Sequence, residues 1–287
     1  MQIPVELAPF ARTSSLTGLP TGLFYYDAGP QSAPALLLLH GLGDEADTWR
    51  RVIAPLSRSY RVIAPDLPGF GRSPLPRRRL FSPPFLAGVL LSLLDSLGID
   101  RVGLVGSSLG ASLLQYVATV RPEICSRLVL VDGGIAATSQ IPPSMIPTLI
   151  PGVGERGYAR LAAAPEAAYA SLRPYYAALD RLPREEQDFL RVRVGERVES
   201  LTQRRAYFSL FRGHVYWMIF HGKSIQKKVA SLEVPTTYVW GSEDRILPLE
   251  TARAMSAGQP QARFVVINGA GHLPQQETPQ ELLAIIA

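Results

Sequence analysis

Short, uninterrupted apolar runs alternate with longer helical stretches through the first half of the chain. Ala35–His40 reads as a buried strand, Ala46–Leu56 as a helix, Tyr60–Pro65 as a strand and Phe85–Leu97 as a helix. Arg101–Gly106 follows as a strand, Leu109–Val120 as a helix stopped by Arg121-Pro122, and Leu128–Asp132 as a strand. Runs that are apolar end to end indicate strands covered on both faces, and the helices between them serve as crossovers between parallel strands. After Asp132 the rhythm breaks. Gly133–Pro151 is loop-like, with Pro142, Pro143, Pro147 and Pro151, and from Glu155 to Gln226 the pattern is mostly helical with no clear strand. The rhythm then returns: Thr236–Trp240 is a strand, Leu249–Ala257 a helix, Arg263–Ile267 a strand, and Pro279–Ile286 a closing helix with proline at its start. The expected architecture is an α/β core of residues 1–133 and 229–287, a mostly parallel sheet flanked by helices. A helical insertion over residues 134–228 follows the Leu128–Asp132 strand.

Composition narrows the class. A chain of 287 residues, 47% hydrophobic and 18% charged, can bury a sizeable core and is not disordered. One cysteine, Cys125, excludes a disulfide scaffold. The longest apolar runs, Ala35–Leu39 and Leu86–Leu94, fall short of the ~18 residues a membrane span needs. Met1–Ser15 carries no secretory pattern, so the expected location is the cytoplasm. The net charge of +5 is concentrated: between Glu155 and Lys228 lie 11 Arg and 3 Lys against 8 acids. Such a segment either attracts anionic substrates or surfaces or is a solvated helical face. Without basic residues interleaved with aromatics, nucleic acid is not an expected partner. Arg77-Arg78-Arg79 is the sharpest charge feature, either a dock for an anionic group or an exposed basic loop.

Candidate chemistry centres on Gly106-Ser107-Ser108-Leu109-Gly110, which fits G-x-S-x-G between a strand and a helix. A sharp turn there lifts the Ser108 hydroxyl out of the sheet at a helix start, and side chains at Gly106 or Gly110 would clash with neighbouring elements. Ser107 is the competing hydroxyl, but the glycine spacing selects Ser108. A serine nucleophile needs a base. Of His40, His214, His221 and His272, only His272 sits in a loop just after the last strand. Asp244 follows the Thr236–Trp240 strand at the same sheet edge, so the order is Ser108, Asp244, His272. Glu243 and Asp132 are the rival acids. No metal-ligand spacing involves His214 or His221, and no cofactor is implied.

Together, His40-Gly41-Leu42-Gly43, Asp66-Leu67-Pro68-Gly69-Phe70-Gly71-Arg72-Ser73, the Ser108 elbow, Trp240-Gly241-Ser242-Glu243-Asp244-Arg245 and Gly269-Ala270-Gly271-His272 resemble the α/β-hydrolase superfamily, in its serine-nucleophile branch. The resemblance runs from about Phe24 to Ile286, except the insertion, and implies that the insertion is a lid over the site. It also implies an oxyanion hole from the Leu42 and Leu109 N–H groups, with His40 only bracing its loop. Dehalogenases and epoxide hydrolases of similar fold use an aspartate where this chain has Ser108. The implied activity is hydrolysis of a carboxylic ester or thioester of a small acyl or aryl substrate, neutral or anionic, through an acyl-enzyme. Carbon–carbon bond hydrolysis of a vinylogous diketone uses the same triad and is the alternative. A non-catalytic ligand-binding protein on the same fold is the third.

Overall fold

A computed structural model describes residues 1–16, 22–76, 81–135 and 143–287; Arg77, Arg78 and Arg79 lie outside the described residues. Eight strands form one sheet: β1 (Ala11–Ser14), β2 (Leu23–Ala28), β3 (Ala35–Leu39), β4 (Arg61–Pro65), β5 (Val102–Ser107), β6 (Cys125–Val131), β7 (Thr236–Gly241) and β8 (Arg263–Ile267), in the order β1-β2-β4-β3-β5-β6-β7-β8. The strands from β4 to β8 across the sheet are parallel to their neighbours. At the other end β2 runs antiparallel to both β1 and β4. The fold is the expected one, an α/β-hydrolase sheet flanked by helices.

Each apolar run feeds two cores, because successive side chains of a strand point to opposite faces. Leu37 and Leu39 of β3 pack with Leu104, Leu128, Leu130 and Trp240 on one face. That face is covered by α2 (Pro83–Ser96), α3 (Leu109–Val120) and α8 (Leu249–Ala257). Leu36 and Leu38 pack with Val105, Val129, Val131 and Val239 on the other. That second face is covered by α1 (Arg50–Leu56) and, after the short α9 (Pro274–Glu277), by α10 (Pro279–Ile286).

Several boundaries differ from expectation. The helix expected over Ala46–Leu56 divides into a 3-10 turn, Ala46–Trp49, and α1. β6 starts at Cys125 rather than Leu128, since Cys125 pairs with Val102 across a register shift. The sequence pattern showed no strand before Ala35, yet β1 and β2 are there. β1 is a short, half-exposed edge of polar residues, and β2 is buried on both faces, so neither shows period-two alternation.

Between β6 and β7 the described residues 143–230 hold helices and no strand: α4 (Val153–Ala162), α5 (Pro165–Ala170), α6 (Arg184–Glu199) and α7 (Leu201–Ala230), with 3-10 turns between them. Ala168, Tyr169, Leu179, Leu190, Val194 and Val198 form a core of their own. α7 joins the main core through Ala206 and Leu210. Among the described residues no helix is long and apolar enough to cross a membrane.

Candidate active site

The turn after β5 is built for one residue. Ser108 has φ 53° and ψ −120°, a backbone that costs a non-glycine residue about 1–3 kcal/mol and marks a site held by its surroundings. The surroundings are visible in the glycines. A Cβ on Gly106 would lie 2.6 Å from the Ala111 nitrogen, and one on Gly110 would lie 2.4 Å from the His40 carbonyl oxygen. Gly133, which the motif reading did not single out, is as tightly held: its Cβ would lie 2.2 Å from the Ser108 carbonyl oxygen. The Ser108 N–H donates to the Val131 carbonyl, 2.8 Å, which ties the turn to the end of β6.

The two serines lie in different surroundings. Ser107 is buried, and its Oγ accepts from Gln275 Nε2 at 3.1 Å. Ser108 lines a cavity of about 290 Å³ that His272 also lines. Gly41 and Leu42 border the same cavity, and a Cβ on Gly41 would touch the Ser108 side chain at 3.1 Å. The loop after β3 thus lies directly over the serine. Leu109 is buried and is the first residue of α3, where helix amides have no intrahelical acceptor. His40 does not face the chemistry: its Nδ1–H donates to the Gly41 carbonyl, 2.8 Å, and its Nε2 accepts from Leu67 N–H, 2.9 Å.

His272 is buried in the loop after β8. Its Nδ1–H donates to Asp244 Oδ2 at 2.8 Å, and its own backbone N–H donates to the Tyr175 carbonyl at 2.8 Å. Asp244 Oδ1 accepts the N–H groups of Ile246, 2.8 Å, and Leu247, 2.9 Å, so the loop after β7 holds the carboxylate in one orientation. Glu243, a rival acid, is exposed. Asp132, the other rival, is buried beside the pair. Its Oδ1 accepts the Gly241 N–H at 2.8 Å, and its Oδ2 has no donor. Burial first, and then the Asp244 charge, push Asp132 well above the usual carboxylate range. Of the two carboxylates, Asp244 is the one hydrogen-bonded to His272, and Asp132 is the one whose charged form its burial and its neighbour disfavour.

Asp132, Asp244 and His272 bring ligand atoms within 4.8 Å of one another. That is close enough for a cation, but both Asp244 oxygens already accept hydrogen bonds, from His272 and from the Ile246 and Leu247 N–H groups. Glu277, unremarked in the sequence, secures the histidine loop. Its Oε1 accepts Gly271 N–H at 2.8 Å and its Oε2 accepts Ala177 N–H at 2.9 Å, tying that loop to the residues after α5.

The cavity roof is aromatic: Tyr158, Tyr175 and Tyr207 come from the helices between β6 and β7, with Leu161 and Leu172 beside them. Arg197 of α6 also lines it. Its guanidinium is already engaged, donating to Glu45 Oε2 at 2.7 Å and to Asp44. Burial would raise Glu45, but Arg197 and Arg193 outweigh it and hold the carboxyl below its ordinary value. On the other side of this ion cluster Arg72 bridges Asp66 at 2.8 Å and Asp47 at 2.9 Å. This explains the Asp66–Ser73 loop: its acid and its arginine lock each other.

A 2-hydroxy-6-oxononadienedioate/2-hydroxy-6-oxononatrienedioate hydrolase from Paraburkholderia phymatum is 29% identical over 257 residues, which are 88% of this chain and 85% of that protein. Among solved structures, the 2-hydroxy-6-oxo-6-phenylhexa-2,4-dienoate hydrolase of Rhodococcus sp. strain RHA1 superposes with a TM-score of 0.78 at 22% identity, over 96% of this chain and 97% of that one. A thermophilic esterase from Thermogutta terrifontis, solved with malate bound, gives 0.74 at 24% identity over 96% of each chain. These likenesses show the fold. Residues 34–279 match the model of the alpha/beta hydrolase fold family, and the chain belongs to that family.

Proposed function

We propose that the chain is a serine hydrolase of small carboxylic esters or thioesters, with Ser108 as nucleophile, His272 as base and Asp244 as its orienting acid. The observation that carries this reading is Ser108 held at φ 53° at a helix start, in the cavity that a His272–Asp244 pair also borders. His272 takes the Ser108 proton as Oγ attacks the carbonyl, and Asp244 stabilises the imidazolium. The Leu42 and Leu109 N–H groups receive the oxyanion; losing one such donor costs about 3–4 kcal/mol. His272 then protonates the leaving group, and water activated by the same imidazole releases the acid. In this reading the helical segment is a cap over the site, and its tyrosines and leucines form an apolar, aromatic acyl pocket.

Carbon–carbon hydrolysis is the second reading, favoured by the activity for which the Paraburkholderia relative is named. Against it stands the state of Arg197. It is the one cation among the described cavity residues, and its charge is met by Asp44 and Glu45 rather than left for a substrate carboxylate. Neutral esters beside a vinylogous diketone acid separate the two readings by relative kcat/KM. The test of the chemistry itself is labelling with a fluorophosphonate, mapped by peptide mass spectrometry. A stoichiometric adduct on Ser108, absent in Ser108→Ala, is expected. A folded protein that takes no label, yet binds a ligand tightly without turnover, is a binding protein instead.

A further inference from the structure

α7 is unlike the rest of the chain. Over its 30 residues it carries Arg204, Arg205, Arg212, Lys223, Lys227 and Lys228, every lysine in the protein, and no acid. One face of it is spoken for: Ala206, Leu210, His214, Met218 and Ile225 are buried. The opposite face leaves Tyr216, Ile219 and Phe220 at 41%, 67% and 81% exposure. Spacings of three and four place these three in one row, which continues one turn later into Lys223 and then Lys227. Arg212, one turn before Tyr216, donates to the carbonyls of Thr148 and Ile150, so the exposed Ile150, at 56%, extends the same patch.

Single exposed apolar residues need no explanation, but a contiguous patch with a polar rim marks an interaction surface. The charges around this one select the partner. Glu155 is engaged by Arg212, and the acid nearest the lysines in sequence, Glu233, lies beyond the helix end. Pairing α7 with α7 of a second copy would set cation against cation in either direction, because the helix has no acid to offer. An anionic partner is required. Lysines with apolar stems beside projecting aromatic and aliphatic tips match a headgroup layer, where the tips reach the acyl boundary and the ammonium groups meet phosphate. We propose that the Tyr216–Ile219–Phe220–Lys223–Lys227 face of α7 docks the protein on an anionic phospholipid surface. The surface is independent of the Ser108 cavity and of any activity assigned to it.

Co-sedimentation of the full chain with vesicles tests this, using equal parts phosphatidylglycerol and phosphatidylcholine against phosphatidylcholine alone. Binding to the anionic vesicles only is expected, weakening as salt rises from about 0.1 M to about 0.5 M. Each of Lys223→Gln and Lys227→Gln is expected to weaken partition about fivefold, and Phe220→Ser about tenfold. Circular dichroism of each variant confirms its fold. Equal binding to both vesicle types, no binding to either, or binding that Phe220→Ser and the lysine variants leave unchanged overturns the proposal. So does light scattering that finds a dimer in solution which Phe220→Ser converts to monomer, because the face would then be covered by a second copy.

Discussion

Asp132 follows β6 with φ 46°, and its Oδ1 accepts the N–H of Gly241, the last residue of β7 before the loop carrying Asp244. The sequence could place both acids at the correct edge of the sheet. It could not say which would meet His272, because that depends on how the loops after β6, β7 and β8 pack together. The division of labour makes contrasting predictions. Asp244→Asn removes the charge that orients and stabilises the imidazolium and is expected to lower kcat about 10⁴-fold. Asp132→Asn keeps an acceptor for Gly241 N–H and a donor toward Asp244, and kcat should change by less than about threefold. Asp132→Leu orphans the buried Gly241 N–H and should cost about 1–3 kcal/mol of stability, read from the urea midpoint. A large kcat loss in Asp132→Asn, with Asp244→Asn nearly active, would reverse the assignment. Gly133→Ala has no room beside the Ser108 carbonyl and should cost about 1–3 kcal/mol or more, with loss of labelling at Ser108.

At the scale of elements, α6 is tied to the loop over the serine by charge. Arg197 and Arg193 reach from α6 to Asp44, Glu45 and Asp47, and Glu45 is fully buried. Removing one partner of a buried pair leaves an uncompensated charge. Arg197→Met is therefore expected to cost about 3–5 kcal/mol, seen as a lower denaturation midpoint. Because Asp44 adjoins the Gly41–Gly43 loop, the same variant should raise KM for a simple ester. An unchanged midpoint would mean the cluster contributes nothing net. None of this was legible in the chain, where Arg193 and Arg197 look like part of a solvated basic helix. Their partners lie about 150 residues away. The central strands were legible, because burial on both faces writes itself as an unbroken apolar run. β1 was not, because an edge strand of Ala, Arg, Thr and Ser carries no such mark, and β2 offers only the four-residue run Leu23–Tyr26 before Asp27.

Over the whole molecule, acid sensitivity has an identifiable source. His214 of α7 is buried, neither ring nitrogen has a hydrogen-bond partner, and burial pulls it down to about 4. A histidine depressed in the folded state is neutral in both states above its ordinary value near 6.5 and contributes no penalty there. Below that the unfolded chain takes the proton first, so stability falls as pH drops from about 6.5 to about 4, by up to about 3 kcal/mol. His214→Leu should flatten the pH dependence of the melting temperature in that window. A melting curve equally pH-dependent in the variant would assign the loss to other groups.

By itself the sequence determined the layered α/β core, the elbow serine, and the order of serine, acid and histidine, each just past a strand. These follow from local rules: unbroken apolar runs, glycine at a strained turn, and loops at strand ends. The tertiary structure decided what those rules do not reach. It seats Glu277 under the histidine loop, buries Asp132 beside Asp244, and commits Arg197 to two acids. It also turns Phe220 outward on an acid-free helix. Each of these depends on which distant side chains share a buried volume, and that is settled only when the sheet has brought its strand ends together.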